Sequence, residues 1–243
     1  MRLDRIKESV ISLFFPRRCP VCGDIVEPFG ELICLGCVGE LSPVRQPACK
    51  KCGKEVESGR MEYCYDCSRH PKTFRQNFAL LNYNAAASRS MSAIKYKGRR
   101  EYLDFYSRAV CVRFAGMIGR IAPDTIVPVP IHPSRMRSRG FNQAELLAQR
   151  MGRQLGIPVS AKGLRRAKKT LPQKQLNQAE RLKNLQQAFV PGQLPRGVKT
   201  VLLVDDIYTT GSTLESCATA LKSMGVETVY GLTLCIGNSS DNP

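Results

Sequence analysis

The sequence predicts an α/β domain preceded by a small cysteine-rich module that binds metal. Two segments, residues 126–155 and residues 201–218, have the pattern of a strand, a loop and a helix. Four Cys-x-x-Cys pairs stand before both of them. A chain of 243 residues that is 43% hydrophobic can bury one sizeable core, whereas a small module can fold around metal. We therefore expect a metal-binding module over residues 1–70 and an α/β domain over residues 71–243.

The cysteines of the first module are regularly spaced. Eleven residues separate each Cys-x-x-Cys pair from the next. One such turn places two thiolates on one side of a metal ion, and two turns complete a tetrahedral zinc site. The pattern predicts two structural zinc ions. The predicted ligands are Cys19, Cys22, Cys34, Cys37, Cys49, Cys52, Cys64 and Cys67.

Equal spacing fits both consecutive zinc ribbons and a cross-braced arrangement, and we favour consecutive ribbons. Disulfides or a redox pair are alternatives to zinc, but a disulfide scaffold requires a secreted chain. No signal peptide opens the sequence, so we expect reduced thiols and a cytoplasmic protein. The remaining cysteines, Cys111, Cys217 and Cys235, stand in apolar patterns and are expected to be small buried hydrophobic residues.

The elements between the module and the two strand–loop–helix segments follow from periodicity. A polar connection over residues 68–77 precedes a predicted strand over residues 78–83 and predicted helices over residues 85–97 and 102–121. The first fifteen residues predict a short amphipathic helix that docks on the protein, with weak membrane contact as the alternative. No apolar run is long enough for a membrane span.

The first strand–loop–helix segment has a basic loop. The predicted strand over residues 126–131 precedes three arginines, and the predicted helix runs from about residue 142 to 155. Guanidinium groups bind phosphate oxygens through planar paired donors. Arg135 and Arg139 are therefore candidates for an anion site, although a solvated basic turn is the alternative for any one arginine.

The second segment contains the most informative motif. An apolar strand ends in Asp205 and Asp206, and a loop rich in hydroxyls then opens into a helix. Its backbone N–H groups and the positive end of the helix dipole favour a dianionic phosphate, and Gly211 permits close approach. The carboxylates can accept hydrogen bonds from a diol and help to hold Mg²⁺ through water, so the pattern indicates a sugar phosphate. The predicted phosphate loop comprises Thr209, Thr210, Gly211, Ser212 and Thr213.

This motif resembles the 5-phosphoribosyl-1-pyrophosphate (PRPP) motif of type I phosphoribosyltransferases. The resemblance implies a central parallel sheet flanked by helices and a site for PRPP with Mg²⁺. Asp205 and Asp206 would be the catalytic, ribose-binding pair, and pyrophosphate would lie near Arg135 and Arg139. After a short predicted strand over residues 157–160, the resemblance implies a mobile catalytic loop. Candidate contacts in that loop are Arg165, Lys168, Lys169, Gln173, Asn177, Arg181 and Asn184.

Nearly the whole chain resembles the ComF (ComFC/GntX-like) family. The features that carry this resemblance are the zinc pairs, the turn Lys95-Tyr96-Lys97-Gly98, the Val-Pro-Val-Pro strand and the Val-Asp-Asp motif. The family implies a phosphoribosyltransferase-like fold with an N-terminal zinc module. It also implies a role in natural transformation, with single-stranded DNA and other DNA-uptake proteins as partners. The second cysteine quartet is a variation on members that have one zinc site.

Charge is concentrated in one part of the chain. Residues 135–183 contain 13 basic and 2 acidic residues, which is +11 of the formal +17, whereas residues 1–72 contain 12 basic and 10 acidic residues. The excess indicates a polyanion such as nucleic acid, with a solvated basic face as the alternative. Tyrosines alternate with basic residues nearby, as in proteins that stack single-stranded bases. The predicted nucleic-acid contacts are Lys95, Lys97, Arg99 and Arg100.

Two functions remain open from sequence. The first is a PRPP-binding, phosphoribosyltransferase-like protein that acts on incoming single-stranded DNA. The second is an active phosphoribosyltransferase that moves ribose 5-phosphate from Mg-PRPP to an unidentified acceptor, with no DNA role. Fold alone does not establish chemistry.

Overall fold

The structure is a computed structural model that describes residues 16–167 and 188–237. The amphipathic helix predicted at the start of the chain lies outside these ranges, as do the loop candidates from Lys168 to Asn184. Within the described ranges, no helix has the length and apolar character needed to cross a membrane.

A four-stranded parallel sheet forms the centre of the domain. Its strands are β1 (Gln76–Asn82), β2 (Thr125–Pro128), β5 (Thr200–Tyr208) and β6 (Thr228–Ile236), in the spatial order β1-β6-β5-β2. A separate antiparallel pair consists of β3 (Leu164–Arg166) and β4 (Phe189–Pro191). The predicted strand over residues 157–160 contributes a single parallel bridge, between Val159 and Ile126. The parallel sheet confirms the predicted fold class.

The helices, in chain order, are α1 (Tyr65–Arg69), α2 (Ala85–Lys97), α3 (Tyr102–Ile121), α4 (Pro133–Arg139), α5 (Gln143–Leu155) and α6 (Ser212–Lys222), with a 3₁₀ helix over Leu35–Glu40. The predicted bounds of α2 and α3 are confirmed. Local capping interactions explain why the ends of α2 lie where the sequence predicts them. Asn84 accepts a hydrogen bond from the Ala87 N–H, and Gly98 ends the helix in the left-handed conformation.

The basic segment after β2 was predicted as a loop, and this was wrong, because residues 133–139 form helix α4. Three local features support the helix. Pro133 stands in its first turn, the His132 side chain accepts a hydrogen bond from the Ser134 N–H, and Gly140 ends it at a φ of 76°. A helix places Arg135 and Arg139 one turn apart on the same side.

The two faces of the sheet belong to different cores. Leu202 and Val204 of β5 pack with apolar residues of α2, α3 and α5. Val201 and Leu203 point to the other face, where α6 lies. Adjacent residues of a strand alternate between faces, so the continuous apolar run of β5 suits a strand covered on both sides.

Each half of the cysteine module joins one of these cores. Val21, Val26 and Ile33 from the first half are buried with α3 and α5, whereas Val44, Cys49 and Cys52 from the second half are buried on the α6 side. Burial of an aliphatic or aromatic side chain contributes about 1.5–3 kcal/mol. The module is therefore packed into the domain at both faces of the sheet.

Candidate functional site

The candidate site lies where strands β2 and β5 end. Pro128, the last residue of β2, is in register with Val204 of β5, so Asp205 and Asp206 extend past the end of the neighbouring strand. Parallel strands place their carboxyl ends at one edge, and open α/β sheets bind ligands there. The connections to α4 and α6 leave the sheet at this edge.

Both carboxylates are buried, with Asp205 8% and Asp206 7% exposed. Asp206 Oδ2 lies 2.5 Å from Lys95 Nζ and accepts a hydrogen bond of 3.2 Å from Gln143 Nε2. Its other oxygen accepts from the Ile207 N–H at 3.0 Å. Asp205 Oδ1 accepts from the Asp206 N–H at 2.8 Å. Asp206 is thus neutralised by a lysine, whereas Asp205 is not.

The two aspartates titrate in opposite directions. Burial, together with the adjacent charge of Asp206, raises the pKa of Asp205 well above its usual range. Burial also acts to raise the pKa of Asp206, but the Lys95 ammonium outweighs it and lowers that pKa. At neutral pH the pair therefore favours one ionised carboxylate, on Asp206, with a matching positive charge on Lys95.

Residues 209–213, which we name the hydroxyl loop, connect β5 to α6. Thr209 and Thr210 are exposed, and Thr210 Oγ1 lies 3.0 Å from Ser212 Oγ. Gly211 has a φ of 77° and packs against the Tyr208 ring, where a Cβ would collide. The first turn of α6 has N–H groups without intrahelical acceptors. The loop therefore combines hydroxyl donors with a helix N-terminus, which suits a phosphate.

A short segment after the cysteine module, residues 72–74, contacts the hydroxyl loop and is named the clasp. The Thr73 N–H donates to both carboxylate oxygens of Glu215 in α6, at 2.7 and 2.9 Å, and the Thr73 hydroxyl donates to the same carboxylate. Lys72 Nζ donates to the Thr210 carbonyl at 3.4 Å. The clasp is therefore bound on both sides of Gly211.

The clasp is in turn anchored to the second half of the cysteine module. Lys51 Nζ donates to the Phe74 carbonyl at 3.0 Å, and the Phe74 ring meets the Tyr208 ring edge-on with centroids 6.5 Å apart. Asn77 Nδ2 donates to the Cys52 carbonyl at 3.0 Å. A continuous chain of contacts thus runs from the second cysteine quartet to the hydroxyl loop.

The arginines predicted to bind an anion occupy different surroundings. Arg135 is exposed. Arg139 Nη1 donates to Gln143 Oε1 at 2.5 Å, and its guanidinium lies 5.5 Å from the Tyr96 ring centre. Gln143 donates to Asp206, so Arg139 is linked to the carboxylates through one side chain, whereas Arg135 is not linked by this route.

Arg166 is a candidate that sequence reasoning missed. Its Nε is buried without a hydrogen-bond partner in the described part of the chain. Burial lowers its pKa, and the nearby positive charge of Arg135 lowers it further. A bound anion would offset the repulsion between these two guanidinium groups. The predicted neighbour Arg165 instead donates to the Pro191 carbonyl at 3.3 Å. Adjacent strand residues face opposite ways, and nothing in the sequence pattern indicates which of the two arginines faces inward.

The structure places the predicted nucleic-acid residues in two different environments. Lys97 and Arg100 are exposed around the turn between α2 and α3. Arg99 Nη1 lies 3.6 Å from Glu101 Oε1. The side chain of Lys95 is only 18% exposed and points instead to Asp206. Three of the four residues therefore share an exposed basic patch, beside Tyr96, which is 78% exposed.

The eight module cysteines form two quartets, and their composition confirms consecutive ribbons. Within each quartet the Sγ atoms lie within 4.8 Å of one another. Zinc at about 2.3 Å from four sulfurs separates them by about 3.8 Å, and Cys52 Sγ lies 3.6 Å from Cys64 Sγ. Both quartets therefore suit a structural zinc ion. The quartets are Cys19, Cys22, Cys34 and Cys37, and Cys49, Cys52, Cys64 and Cys67.

The remaining cysteines stand apart from these quartets. Cys217 and Cys235 are fully buried, which confirms their prediction as core residues, and burial raises the pKa of both thiols. Cys111 is half-buried beside the core, and burial raises its pKa as well. Because a thiolate is the reactive form, none of the three has the environment of a nucleophile.

Family models match both parts of the chain. A model described as a double zinc ribbon domain matches residues 10–68. A second, described as a phosphoribosyl transferase domain, matches residues 136–243. The first match covers both cysteine quartets, and the second covers the carboxylate pair and the hydroxyl loop.

Individual relatives are similar over part of their length. Competence protein F of Haemophilus influenzae is 40% identical over 116 residues, which are 45% of this chain and 50% of that protein. DNA utilization protein YhgH of Escherichia coli O157:H7 is 30% identical over 168 residues, which are 68% of this chain and 74% of that protein. Competence protein ComFC of Bacillus subtilis is 28% identical over 155 residues, which are 62% of this chain and 60% of that protein.

Proposed function

This chain belongs to the ComF family, and on that basis we propose that it binds PRPP and acts in natural transformation on incoming single-stranded DNA. The observation that carries the PRPP part is the buried pair Asp205 and Asp206 at the end of β5, beside the hydroxyl loop. The names of relatives, which refer to competence and DNA utilization, support the DNA part.

The 5-phosphate binds at the hydroxyl loop in this proposal. The loop offers the hydroxyls of Thr209, Thr210, Ser212 and Thr213, and the N-terminus of the eleven-residue helix α6 adds backbone N–H donors. The collision of any Cβ at Gly211 with Tyr208 fixes glycine there. The dipole of the helix favours the dianion over neutral ligands.

The ribose hydroxyls bind to Asp205 and Asp206, since carboxylates accept two hydroxyl hydrogen bonds well. The same oxygens suit Mg²⁺, which prefers oxygen ligands and retains water. When bound, Mg²⁺ supplies positive charge to the leaving diphosphate. In the active form of the protein, an ionised carboxylate beside the sugar stabilises a cationic ribosyl transition state through preorganised electrostatics.

The diphosphate lies near Arg135, Arg139 and Arg166 in this proposal. Arg139 is connected through Gln143 to Asp206, within the same hydrogen-bond network as the ribose site. Arg166 has a buried Nε without a described partner and needs an anion to complete its hydrogen bonds. Guanidinium groups bind diphosphate oxygens in pairs.

Single-stranded DNA binds across the exposed basic patch of Lys97, Arg99 and Arg100, with Tyr96 available for stacking. Arg139 touches both this patch and the diphosphate position, through its contact with Tyr96. The two ligands would therefore approach each other at Arg139. Zinc in the two quartets has a structural role in this arrangement, and a cytoplasmic location accords with reduced thiolates.

The test is a calorimetric titration of the zinc-loaded protein with Mg-PRPP, with and without a short single-stranded DNA. We expect PRPP to bind the wild type and to bind Asp206→Asn at least tenfold more weakly, since one charged acceptor is lost. DNA affinity should be nearly unchanged in that variant. Equal loss of both ligands would show that the two sites are not separate, and no PRPP binding would remove the PRPP part of the proposal.

The alternative is an active transferase with no DNA role, and the intact carboxylate pair favours it. Release of pyrophosphate from Mg-PRPP in the presence of a candidate acceptor distinguishes it from a binding protein. A protein that binds PRPP and DNA yet releases no pyrophosphate with any nucleobase would act as a PRPP-dependent DNA-binding protein.

A further inference from the structure

Lys95 makes a contact in the candidate site that the proposed function does not explain. Its Nζ lies 2.5 Å from Asp206 Oδ2, and the two side chains are 18% and 10% exposed. The same oxygen also accepts from Gln143 Nε2. A carboxylate oxygen with these two donors has little capacity left for a ribose hydroxyl. A ribose hydroxyl that binds Asp206 at this oxygen must therefore displace or weaken the Lys95 contact, and the other oxygen already accepts from the Ile207 N–H.

A displaced lysine needs another anion. A buried ammonium without a partner is costly, because it has lost water and gains nothing in return. The described acidic groups at this position are Asp205 and Asp206, and among the described residues Lys95 forms an ion pair with Asp206 and none with Asp205. The new anion must therefore arrive with the ligand.

The surroundings of Lys95 show where that anion would lie. Arg139 bonds to Gln143, which also bonds to Asp206. Tyr96, the residue after Lys95, is 5.5 Å from the Arg139 guanidinium. Lys95 and Arg139 thus contact the two partners of one hydrogen bond, Asp206 and Gln143 respectively. An anion held by Arg139 lies within the range of the flexible lysine side chain.

We propose that Lys95 is a specificity residue that exchanges partners, pairing with Asp206 in the free protein and with the diphosphate of the bound ligand. The proposal rests on the proposed PRPP site. A sugar phosphate without a diphosphate must break the Lys95–Asp206 pair and leave the ammonium without an anion. A ligand with a diphosphate supplies the anion itself. Lys95 therefore selects ribose phosphates that have a diphosphate over those that lack one.

The experiment compares Mg-PRPP with ribose 5-phosphate, which has the same phosphate and diol but no diphosphate. Affinities are measured by calorimetry for the wild type, Lys95→Met and the control Lys222→Met, an exposed lysine at the last residue of α6. We expect Lys95→Met to bind PRPP about tenfold more weakly and ribose 5-phosphate more tightly. The preference for PRPP should therefore fall by more than tenfold. Lys222→Met should retain the wild-type preference.

A change of both affinities by the same factor would refute the exchange, since a merely structural lysine would affect both ligands alike. Lys95→Gln, which is close in length and can still donate to Asp206, repeats the test if the methionine variant has a lowered melting temperature. If the wild type binds PRPP and both Lys95 variants keep its preference for PRPP, this inference alone is refuted. Wild-type protein that binds neither ligand refutes the proposed PRPP site and this inference with it.

Discussion

The clasp gives a prediction whose size follows from its hydrogen bonds. In Glu215→Gln the side chain keeps one acceptor oxygen and gains an NH₂ group that faces the Thr73 donors. The wild-type carboxylate accepts from both the N–H and the hydroxyl of Thr73. Hydrogen bonds to charged groups contribute about 1.5–3 kcal/mol, and the contact is only partly buried, so we expect a loss of about 2 kcal/mol.

This loss should appear in ligand affinity, because Glu215 lies in the first turn of α6, the helix that follows the hydroxyl loop. If the loop must be reordered before phosphate binds, 2 kcal/mol corresponds to about a 30-fold weaker affinity for Mg-PRPP. The assay is calorimetry on Glu215→Gln, Thr73→Val and the double variant. The coupling energy of this cycle should be about 1–2 kcal/mol. Glu227→Gln is the control, since the Glu227 carboxylate pairs with Lys199 at an exposed site.

Additive effects of the two substitutions would refute the reasoning. So would a Glu215→Gln variant with a lowered melting temperature and unchanged PRPP affinity, because the clasp would then stabilise the fold without ordering the loop.

Three further predictions concern the carboxylates, the basic patch and the zinc ions. The pKa of Asp205 is higher in the folded state than its unfolded value of 3.8, so protonated Asp205 stabilises the fold. This contribution is complete at pH values below 3.8 and is lost as the pH rises through the folded-state pKa. Asp205→Asn should therefore raise the free energy of unfolding at pH 7 by on the order of 1 kcal/mol and weaken PRPP binding. Denaturant titrations at pH 5 and pH 8 measure the difference in unfolding free energy between variant and wild type. A difference that is the same at both pH values would contradict this prediction. Charge reversal at Lys97, Arg99 and Arg100 should lower DNA affinity. It should also reduce the slope of log affinity against log salt concentration by about three. A fluorescence titration that shows an unchanged slope would remove the patch from the interface. A chelator should extract zinc first from the quartet that contains the exposed Cys22 and later from the quartet with three fully buried cysteines; zinc release that is simultaneous from both, followed with a colorimetric indicator, would contradict this order.

The local motifs of the sequence predicted much of this architecture. The bounds of α2 and α3 followed from periodicity, and the caps that the structure shows at the ends of α2, Asn84 and Gly98, act within a few residues of those ends. The strand before Asp205 and the helix after Gly211 were equally clear. The chemistry of the cysteine pairs is also local, so the zinc ligands were predictable. The sequence left two possible groupings of these ligands, and the structure shows the consecutive one.

The parts that the sequence did not predict depend on contacts between distant residues. Lys95 stood in a run of basic residues and was assigned to nucleic acid, yet its partner is Asp206, more than a hundred positions away. The contact of Thr73 with Glu215 spans 142 positions. Arg166 could not be separated from Arg165 by composition. No local pattern encodes such pairs, since each depends on how the sheet brings separate segments together.

The strand order has a consequence for how the protein is made. β1 is the first strand of the sheet to be synthesised, and its one neighbour in that sheet, β6, is the last. Apolar residues of β1 such as Leu80 and Leu81 can pair with β6 only after almost all of the later chain has been synthesised. Such long-range parallel pairing is slow and leaves a strand edge exposed to aggregation meanwhile. The cysteine module is synthesised before β1 and lies along its opposite edge, where the Val44 N–H donates to the Leu80 carbonyl and the Asn82 N–H donates to the Ser42 carbonyl. The edge of β1 that faces β6 is therefore the one that stays unpaired until the end of the domain is made.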